Sequence, residues 1–266
     1  MTFIQLYHNL KEKVSVCYQQ FKLNKLEKHK GRKLALTIKD VLSLGVFKHF
    51  NGIPTKKALY SIFKPNCSYK TLVVNLNRFY LQALLIISAL LKNNQKRASL
   101  VKHSDSTALP VCLVKNGRKH KTMKLLSSWA KTNKGWYYGL KLHITSDLNR
   151  KLLSMRFSSA NRHDSHVFGS LNKDLNGIFV CDSGYLSKEV KKNFDKEGKR
   201  LLIAMPRKNQ KKLLTPLHHQ LLKTRMLIEL NFRNLKMFHG LETSLPRSID
   251  GYFANYTYSI LSCLLS

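Results

Sequence analysis

Three acidic residues in the second half of the chain, Asp105, Asp182 and Glu229, occupy settings in which carboxylates can do chemistry. Asp105 lies within or at the end of a candidate strand, residues 100–107, and Asp182 directly follows the short apolar run 178–181. Open α/β sheets place their ligands at the carboxyl ends of strands. Either aspartate alone is more often a turn former or a helix cap. Their meaning therefore depends on what accompanies them.

Glu229 belongs to a pattern with two basic residues, Arg225-x3-Glu229-x6-Lys236, in a segment with helical periodicity. At 3.6 residues per turn, these spacings bring all three side chains to one side of a helix. The alternative is a salt bridge on a solvent-facing surface, because Arg225 and Glu229 lie four residues apart. Acids are scarce in this chain, 14 against 47 lysines and arginines. We therefore favour a functional stripe.

Several carboxylates together suit phosphodiester chemistry. Two-metal phosphoryl transfer uses one ion to activate the attacking oxygen and a second to stabilise the leaving oxygen, about 3.5–4 Å apart. Magnesium is a hard cation that takes oxygen ligands and keeps some of its waters, so carboxylates serve and thiols do not. Lysine and arginine side chains would hold the substrate phosphates nearby.

The charge balance points to a polyanionic partner, because the formal net charge is +33 at pH 7. Such an excess repels itself unless it is neutralised. Nucleic acid is the expected partner, since each phosphate that lysine or arginine contacts releases a condensed counterion. The alternatives are a ribosome-associated protein and a lysine-biased composition typical of an AT-rich genome.

Five cysteines without a CxxC pair favour reduced thiols over a disulfide framework or a zinc site. The amino terminus lacks the basic start, apolar stretch and cleavage site of a signal peptide. The most apolar run, residues 79–91, is shorter than the roughly 20 residues of a membrane-spanning helix. We expect a core helix there, no membrane association, and a cytoplasmic, nucleoid-associated protein.

The elements that must position these residues begin with an all-helical region, because apolar residues recur at helical spacing to about residue 95. Segments 37–50 and 55–63 flank a turn-like sequence, and a third helix begins near Ser68. This arrangement is compatible with a helix-turn-helix, and equally with a helical bundle that has a basic face.

The polar stretch 93–97 is interpreted as a linker, which puts a domain boundary near residue 98. Beyond it the pattern predicts a strand, a hairpin of two strands, then alternating helices and strands, and two closing helices. That order is typical of the ribonuclease-H-like α/β fold, a mixed sheet flanked by helices. The predicted strands are 100–107, 136–145, 151–157, 178–181 and 201–205, and the predicted helices are 163–175, 187–196, 213–238 and 252–265.

Four blocks of the sequence resemble, in order, those of bacterial insertion-sequence DDE transposases. The blocks are Asp105-Ser106-x3-Pro110-Val111-Cys112, the run GWYYGLKLH at 135–143, Asp182-Ser183-Gly184-Tyr185, and Arg225-x3-Glu229-x6-Lys236. The likeness runs from about Ser104 to the carboxyl end. The helical region before it is expected to be the amino-terminal part of the same family.

The resemblance implies that Asp105, Asp182 and Glu229 are the catalytic triad and bind two Mg²⁺ ions, which Mn²⁺ can replace. Arg225 and Lys236 would contact transposon-end DNA. Water would first attack a phosphodiester to free a 3′ hydroxyl, and that hydroxyl would then attack target DNA.

The implied organisation is a DNA-end-binding helical region, 1–98, and a ribonuclease-H-like catalytic domain, 99–266. The implied partners are double-stranded DNA, both transposon ends and target, and further copies of the chain, because transposition pairs two ends. Leu222 stands where the signature often has Tyr, and Ser183 where Lys is common after the second Asp. The alternatives are a nuclease of the same fold without strand transfer and a non-catalytic, DNA-binding remnant of a defective element.

Four further features of the sequence lie outside these four blocks. Asp164, which follows His163, is expected to cap a helix, with support of the site as the alternative. His143 is expected to be structural. The basic runs 115–124 and 207–212 either grip DNA or form solvated surfaces.

Overall fold

A computed structural model describes residues 3–27, 34–185, 194, 198–206, 214–242 and 246–266. Its contacts divide the chain into a helical unit, Met1–Leu90 with Arg233–Ser266, and a sheet unit, Leu91–Phe232. This division concerns packing. The predicted functional division into an end-binding region and a catalytic domain stays a prediction. The basic run 207–212 and most of the predicted helix 187–196 lie outside the described residues.

Helices whose ends carry clear signals build the helical unit. Thr37, Thr55 and Ser68 each cap a helix by accepting a hydrogen bond from the backbone N–H three residues on. The helices predicted at 37–50, at 55–63 and from Ser68 are thereby confirmed. The unit contains α1 (Phe3–Gln20), α2 (Ile38–Phe50), α3 (Lys56–Phe63), α4 (Tyr69–Arg78), most of α5 (Tyr80–Lys96), the end of α8 (Met226–Met237) and α9 (Ile249–Leu265).

A glycine lets two of these helices approach closely. A Cβ atom at Gly45 of α2 would lie 2.6 Å from the ring of Tyr258 of α9. Tyr258 is buried, and its hydroxyl donates a hydrogen bond to the backbone oxygen of Leu76. The packing of α2 on α9 therefore depends on the missing side chain at Gly45.

The stretch Tyr69–Lys96, which comprises α4 and α5, is long and apolar enough to cross a membrane by length and composition alone. One such stretch is weak support for a membrane span, because core helices pass the same test. Ala83, Ile86 and Ile87 of this stretch are fully buried in the fold, as the expectation of a core helix requires.

The described strands of the sheet unit form one six-stranded mixed sheet in the order β2-β3-β1-β5-β6, with β4 also paired to β3. β3 is antiparallel to β1, β2 and β4, whereas β1, β5 and β6 run parallel. The elements are β1 (Val101–Pro110), β2 (Ser128–Thr132), β3 (Gly135–Asp147), β4 (Leu152–Ser159), α6 (Asp164–Leu171), β5 (Gly177–Cys181), β6 (Arg200–Ala204), α7 (Pro216–Lys223) and the start of α8. The predicted strands and their order are confirmed, and β2 is an addition to them.

Close approach of β1 and β3 also relies on a glycine. A Cβ atom at Gly139 would lie 2.1 Å from the backbone oxygen of Leu109, far inside van der Waals contact. Every other residue type would push the two strands apart. Gly139 lies in the GWYYGLKLH block, so part of that block serves the geometry of the sheet.

Two predicted segments differ from the structure. The stretch 93–97, interpreted as a linker, continues α5 to Lys96, because the side-chain amides of Asn94 and Gln95 donate to the backbone oxygens of Leu152 and Leu153. The single helix predicted at 213–238 is two helices, α7 and α8, separated by a turn at residues 224–225.

Candidate active site

Parallel pairing of β1 and β5 brings two of the three predicted acids to neighbouring positions. Ser104 lies opposite Cys181 in the register of the two strands. Asp105 and Asp182 are the next residue on each. The negative charge of Asp182 contributes to the raised pKa of Asp105, which reports the same proximity.

Asp105 is a mostly buried carboxyl group in a crowded acidic setting. Its Oδ1 accepts a hydrogen bond from the backbone N–H of Ser106 at 2.8 Å, and its side chain is 20% exposed. Burial raises the pKa of Asp105 to about 6; the Ser106 bond and the charge of Arg225 lower it, while Asp164 and Asp182 raise it. The surroundings of Asp105 therefore disfavour the negatively charged form of its carboxyl group.

Arg225 joins Asp105 to Glu229. Its guanidinium lies 3.4 Å from Asp105 Oδ2 and donates to Glu229 Oε1 at 2.7 Å. The pairing of Arg225 with Glu229, given above as an alternative, is present, and Asp105 shares it. Arg225 occupies the turn before α8, so the prediction that it lies within a helix is wrong.

The segment before Arg225 is tied to the strand that carries Asp105. Nε2 of His103 and Oγ1 of Thr224 lie 2.8 Å apart. Thr224 also donates to the backbone oxygen of Leu221 at 2.6 Å, where α7 ends. These contacts hold the turn between α7 and α8 against β1.

Asp164 has a different role from the predicted one. The cap of α6 is His163, whose ring accepts from the backbone N–H of Ser165. Asp164 instead accepts from the hydroxyl of Ser106 and from the ammonium of Lys141, each at 2.9 Å. Ser106 is the residue that holds Asp105, so Asp164 supports the site from one residue away. The sequence signals for this role were Ser106, a polar residue next to the predicted site residue Asp105, and Asp164, an acid that follows a predicted strand.

His143 fits its structural expectation. It is fully buried on β3, and its Nε2 lies 2.8 Å from the hydroxyl of Ser158 on β4. Burial lowers the pKa of His143 to about 4, more than the charge of Asp164 raises it. The ring is therefore neutral at physiological pH.

Lys236 has an acidic partner. Its ammonium forms an ion pair with Glu242 at 2.6 Å, within the helical unit. Lys236 as a DNA contact stays a prediction.

The described acids are of the chemical type that binds divalent cations, but they are not arranged as a ready metal site. Within the described ranges, no three His, Cys, Asp or Glu side chains form a group that could hold a metal ion. Arg225 supplies the positive charge that Asp105 and Glu229 share. Carboxylate oxygens are the donors that Mg²⁺ prefers, and the raised pKa of Asp105 means that added positive charge there would be stabilising.

A family model described as "Transposase DDE domain" matches residues 95–249 of this chain. The match covers more than half of the sequence and contains Asp105, Asp182, Arg225 and Glu229. The chain belongs to the DDE transposase family. Members of this family typically use divalent metal ions. A comparison with curated proteins finds no match.

One similar solved structure is the cryo-EM structure of the piggyBac transposase synaptic complex with hairpin DNA. It matches with a TM-score of 0.52 and 9% sequence identity, over 95% of this chain and 70% of that chain. At such low identity the likeness shows the fold alone. The predicted class, a ribonuclease-H-like mixed sheet with helices after a helical region, is confirmed for this DDE transposase chain.

Proposed function

We propose that the chain is an insertion-sequence transposase, which cuts DNA at the ends of its element and joins those ends to target DNA. The observation that carries the proposal is the position of Arg225 against both Asp105 and Glu229, within the matched DDE domain. The planar guanidinium of arginine is well matched to phosphate oxygens. Its location beside the carboxylates supports a role in gripping the DNA phosphate on which they act.

Asp105, Asp182 and Glu229 would hold two Mg²⁺ ions, which Mn²⁺ can replace. When bound, the ions would activate the attacking oxygen and stabilise the leaving oxygen of the phosphodiester. Ser106 and Asp164 would keep the Asp105 carboxylate oriented through their hydrogen bonds. Arg225 would exchange its carboxylate partners for the scissile phosphate.

Two displacements would follow one another at this site. In the first, water attacks phosphorus and the bond to the 3′ oxygen breaks, which frees a 3′ hydroxyl and leaves a 5′ phosphate on the flanking strand. In the second, that hydroxyl oxygen attacks a target phosphodiester and displaces its 3′ oxygen. Arg225 would hold the reacting phosphate in both, and Lys236 would contact transposon-end DNA.

The net charge of +33 supports double-stranded DNA as the partner. The helical region 1–98 would bind the transposon ends, and paired ends would require a homo-oligomer. The piggyBac transposase, which has a similar fold, was solved as a synaptic complex with hairpin DNA, and we infer that this chain binds DNA as well. A cytoplasmic, nucleoid-associated location follows from this role.

Strand transfer tests the proposal. A labelled, precleaved end taken from the DNA that flanks the gene is mixed with plasmid target and Mg²⁺, with Asp182→Ala as the inactive control. We expect Mg²⁺-dependent joining by the wild-type chain and none by Asp182→Ala. Cutting without joining would instead identify a nuclease of the same fold.

A non-catalytic remnant of a defective element is the second candidate, favoured by Leu222 and Ser183 at two signature positions. For such a remnant, Glu229→Gln would leave every measurable activity unchanged. For a working transposase, Glu229→Gln abolishes strand transfer and leaves DNA binding in place.

A further inference from the structure

A pocket of about 440 Å³ lies within the helical unit, where α2, α3 and α4 meet the start of α9. Pockets of roughly 300–1,000 Å³ take small ligands or parts of larger ones. The polar and charged side chains that line it come from separate elements. They include Lys48, Lys56, Tyr69, Asn77 and Arg247.

Lys48 is buried and Lys56 is half-buried, and neither ammonium is paired with an acid among the residues that the structure describes. Lys48 is 4% exposed, and none of the described residues gives its ammonium a carboxylate or a hydrogen bond. The ammonium of Lys56 donates to the side-chain oxygen of Asn77. Burial lowers the pKa of each lysine to about 8, and the charge of Lys56 adds to the effect on Lys48. A buried ammonium without an acidic partner destabilises the fold, so an anion bound in this pocket would be stabilising.

Helix ends add further positive potential to the same pocket. Lys56 is the first residue of α3, and the cap of α9, Ser248, also lines the pocket. Free backbone N–H groups at a helix start attract anions. Asp250, the acid in the first turn of α9, does not line the pocket, and its charge acts on Tyr80 instead.

We propose that this pocket binds a phosphate group of the DNA backbone. The inference rests on DNA as the partner in the proposed function, although it does not depend on catalysis. A phosphate supplies the anion that Lys48 and Lys56 lack, and Tyr69 lines the same pocket. The amide oxygen of Asn77 is already engaged by Lys56. Because a phosphate carries no sequence information, this contact would position DNA independently of its sequence.

DNA binding without Mg²⁺ tests the pocket apart from catalysis. Lys48→Met and Lys56→Met are compared with Lys57→Met, which removes an exposed lysine next to Lys56, on a random-sequence duplex over a range of salt. We expect each pocket variant to bind about tenfold more weakly, with a salt slope shallower by about one. Lys57→Met should stay close to the wild type. Equal affinities and slopes for all three variants would overturn the inference.

Thermal unfolding separates a binding lysine from a structural one. Lys48→Met removes a buried, unpaired charge, so the free variant should melt at or above the wild-type temperature. Inorganic phosphate should raise the melting temperature of the wild type, at matched ionic strength, and not that of Lys48→Met. A phosphate effect with an unchanged DNA salt slope would mean that the pocket takes free phosphate, and would also overturn the inference.

The two proposals fail differently. If Lys48→Met weakens DNA binding while the wild type never joins DNA ends, the pocket inference stands and the transposase activity fails. If strand transfer works and Lys48→Met binds DNA like the wild type, only the pocket inference fails.

Discussion

The ring of His103 and the hydroxyl of Thr224 lie 2.8 Å apart, and they join the strand of Asp105 to the turn that carries Arg225. His103 is fully buried two residues before Asp105, and Thr224 directly precedes Arg225. Burial lowers the pKa of His103 to about 4, although the charge of Asp147 raises it. Because the Thr224 hydroxyl donates its proton to Leu221, the neutral ring donates from Nε2 to the hydroxyl oxygen. This contact therefore helps to hold the guanidinium of Arg225 near the carboxyl group of Asp105.

Thr224→Val tests that relationship. Loss of the hydroxyl leaves a buried ring nitrogen without its partner, which should destabilise the fold by about 1–2 kcal/mol. Strand transfer should fall about tenfold, because Arg225 is less well oriented. Thr132→Val, at the exposed end of β2, serves as the control in urea unfolding and in joining assays. Wild-type joining by a destabilised Thr224→Val would show that the contact serves stability alone.

Asp105→Asn is expected to abolish activity and to increase the stability of the fold. The folded-state pKa of Asp105 is raised from 3.8 to about 6, so its protonated form is favoured in the fold. Its contribution to stability is present below about pH 4 and is lost as pH rises through about 6. Without divalent cations, the variant should therefore gain about 1–3 kcal/mol over the wild type near pH 8 and little near pH 4.

Thermal unfolding across this pH range measures the effect, with Asp174→Asn as an exposed-acid control in the same unit. Strand transfer by Asp105→Asn should be lost. Added Mg²⁺ should stabilise the wild type and not the variant. A pH-independent gain would mean that burial of the Asp105 charge is not its cause.

Arg225→Gln is expected to strengthen metal binding and weaken catalysis. The guanidinium competes with a cation for Asp105 and Glu229, so its removal should tighten Mn²⁺ binding to the free chain by about three- to tenfold. Loss of the phosphate contact should slow strand transfer by at least about tenfold. Calorimetric titration and joining assays measure the two effects, with Arg233→Gln, an exposed arginine on α8, as the control. Weaker Mn²⁺ binding by Arg225→Gln would contradict the competition.

Asp164→Asn should shift the acid side of the pH–rate profile. Asp164 raises the pKa of Asp105, so its neutralisation lowers that pKa and moves the midpoint of the profile to lower pH. The rate at neutral pH should fall about tenfold, or roughly 1.4 kcal/mol, because Ser106 and Lys141 lose their charged partner. An unmoved midpoint with a reduced rate would leave Asp164 a purely structural residue.

Much of the sheet was predictable because its signals are local. The buried run 101–104 within β1 and the run that forms β5 are each followed by an acid, and parallel pairing aligns the two runs, so Asp105 and Asp182 could be placed side by side. The helix caps at Thr37, Thr55 and Ser68 are equally local signals.

The features that escaped prediction depend on contacts between distant segments. β2 (Ser128–Thr132) is largely polar and only partly buried, so it lacks an alternating apolar pattern. The turn at Thr224 contains no Gly or Pro, and its contact with His103 spans 121 positions. Asp164 was expected to cap a helix because of its position after His163, and its actual partners, Lys141 and Ser106, are remote in sequence. Such pairings appear only after the sheet has assembled.

Under the proposed function, substitutions at position 139 and at the acidic residues would disable the element in two different ways. Any side chain there meets the backbone of Leu109, so substitution would remove the soluble protein altogether. Changes at Asp182 or Glu229 would leave a folded chain that occupies DNA without moving it. Copies disabled by the first route are silent, whereas copies disabled by the second would compete with active elements for the same ends.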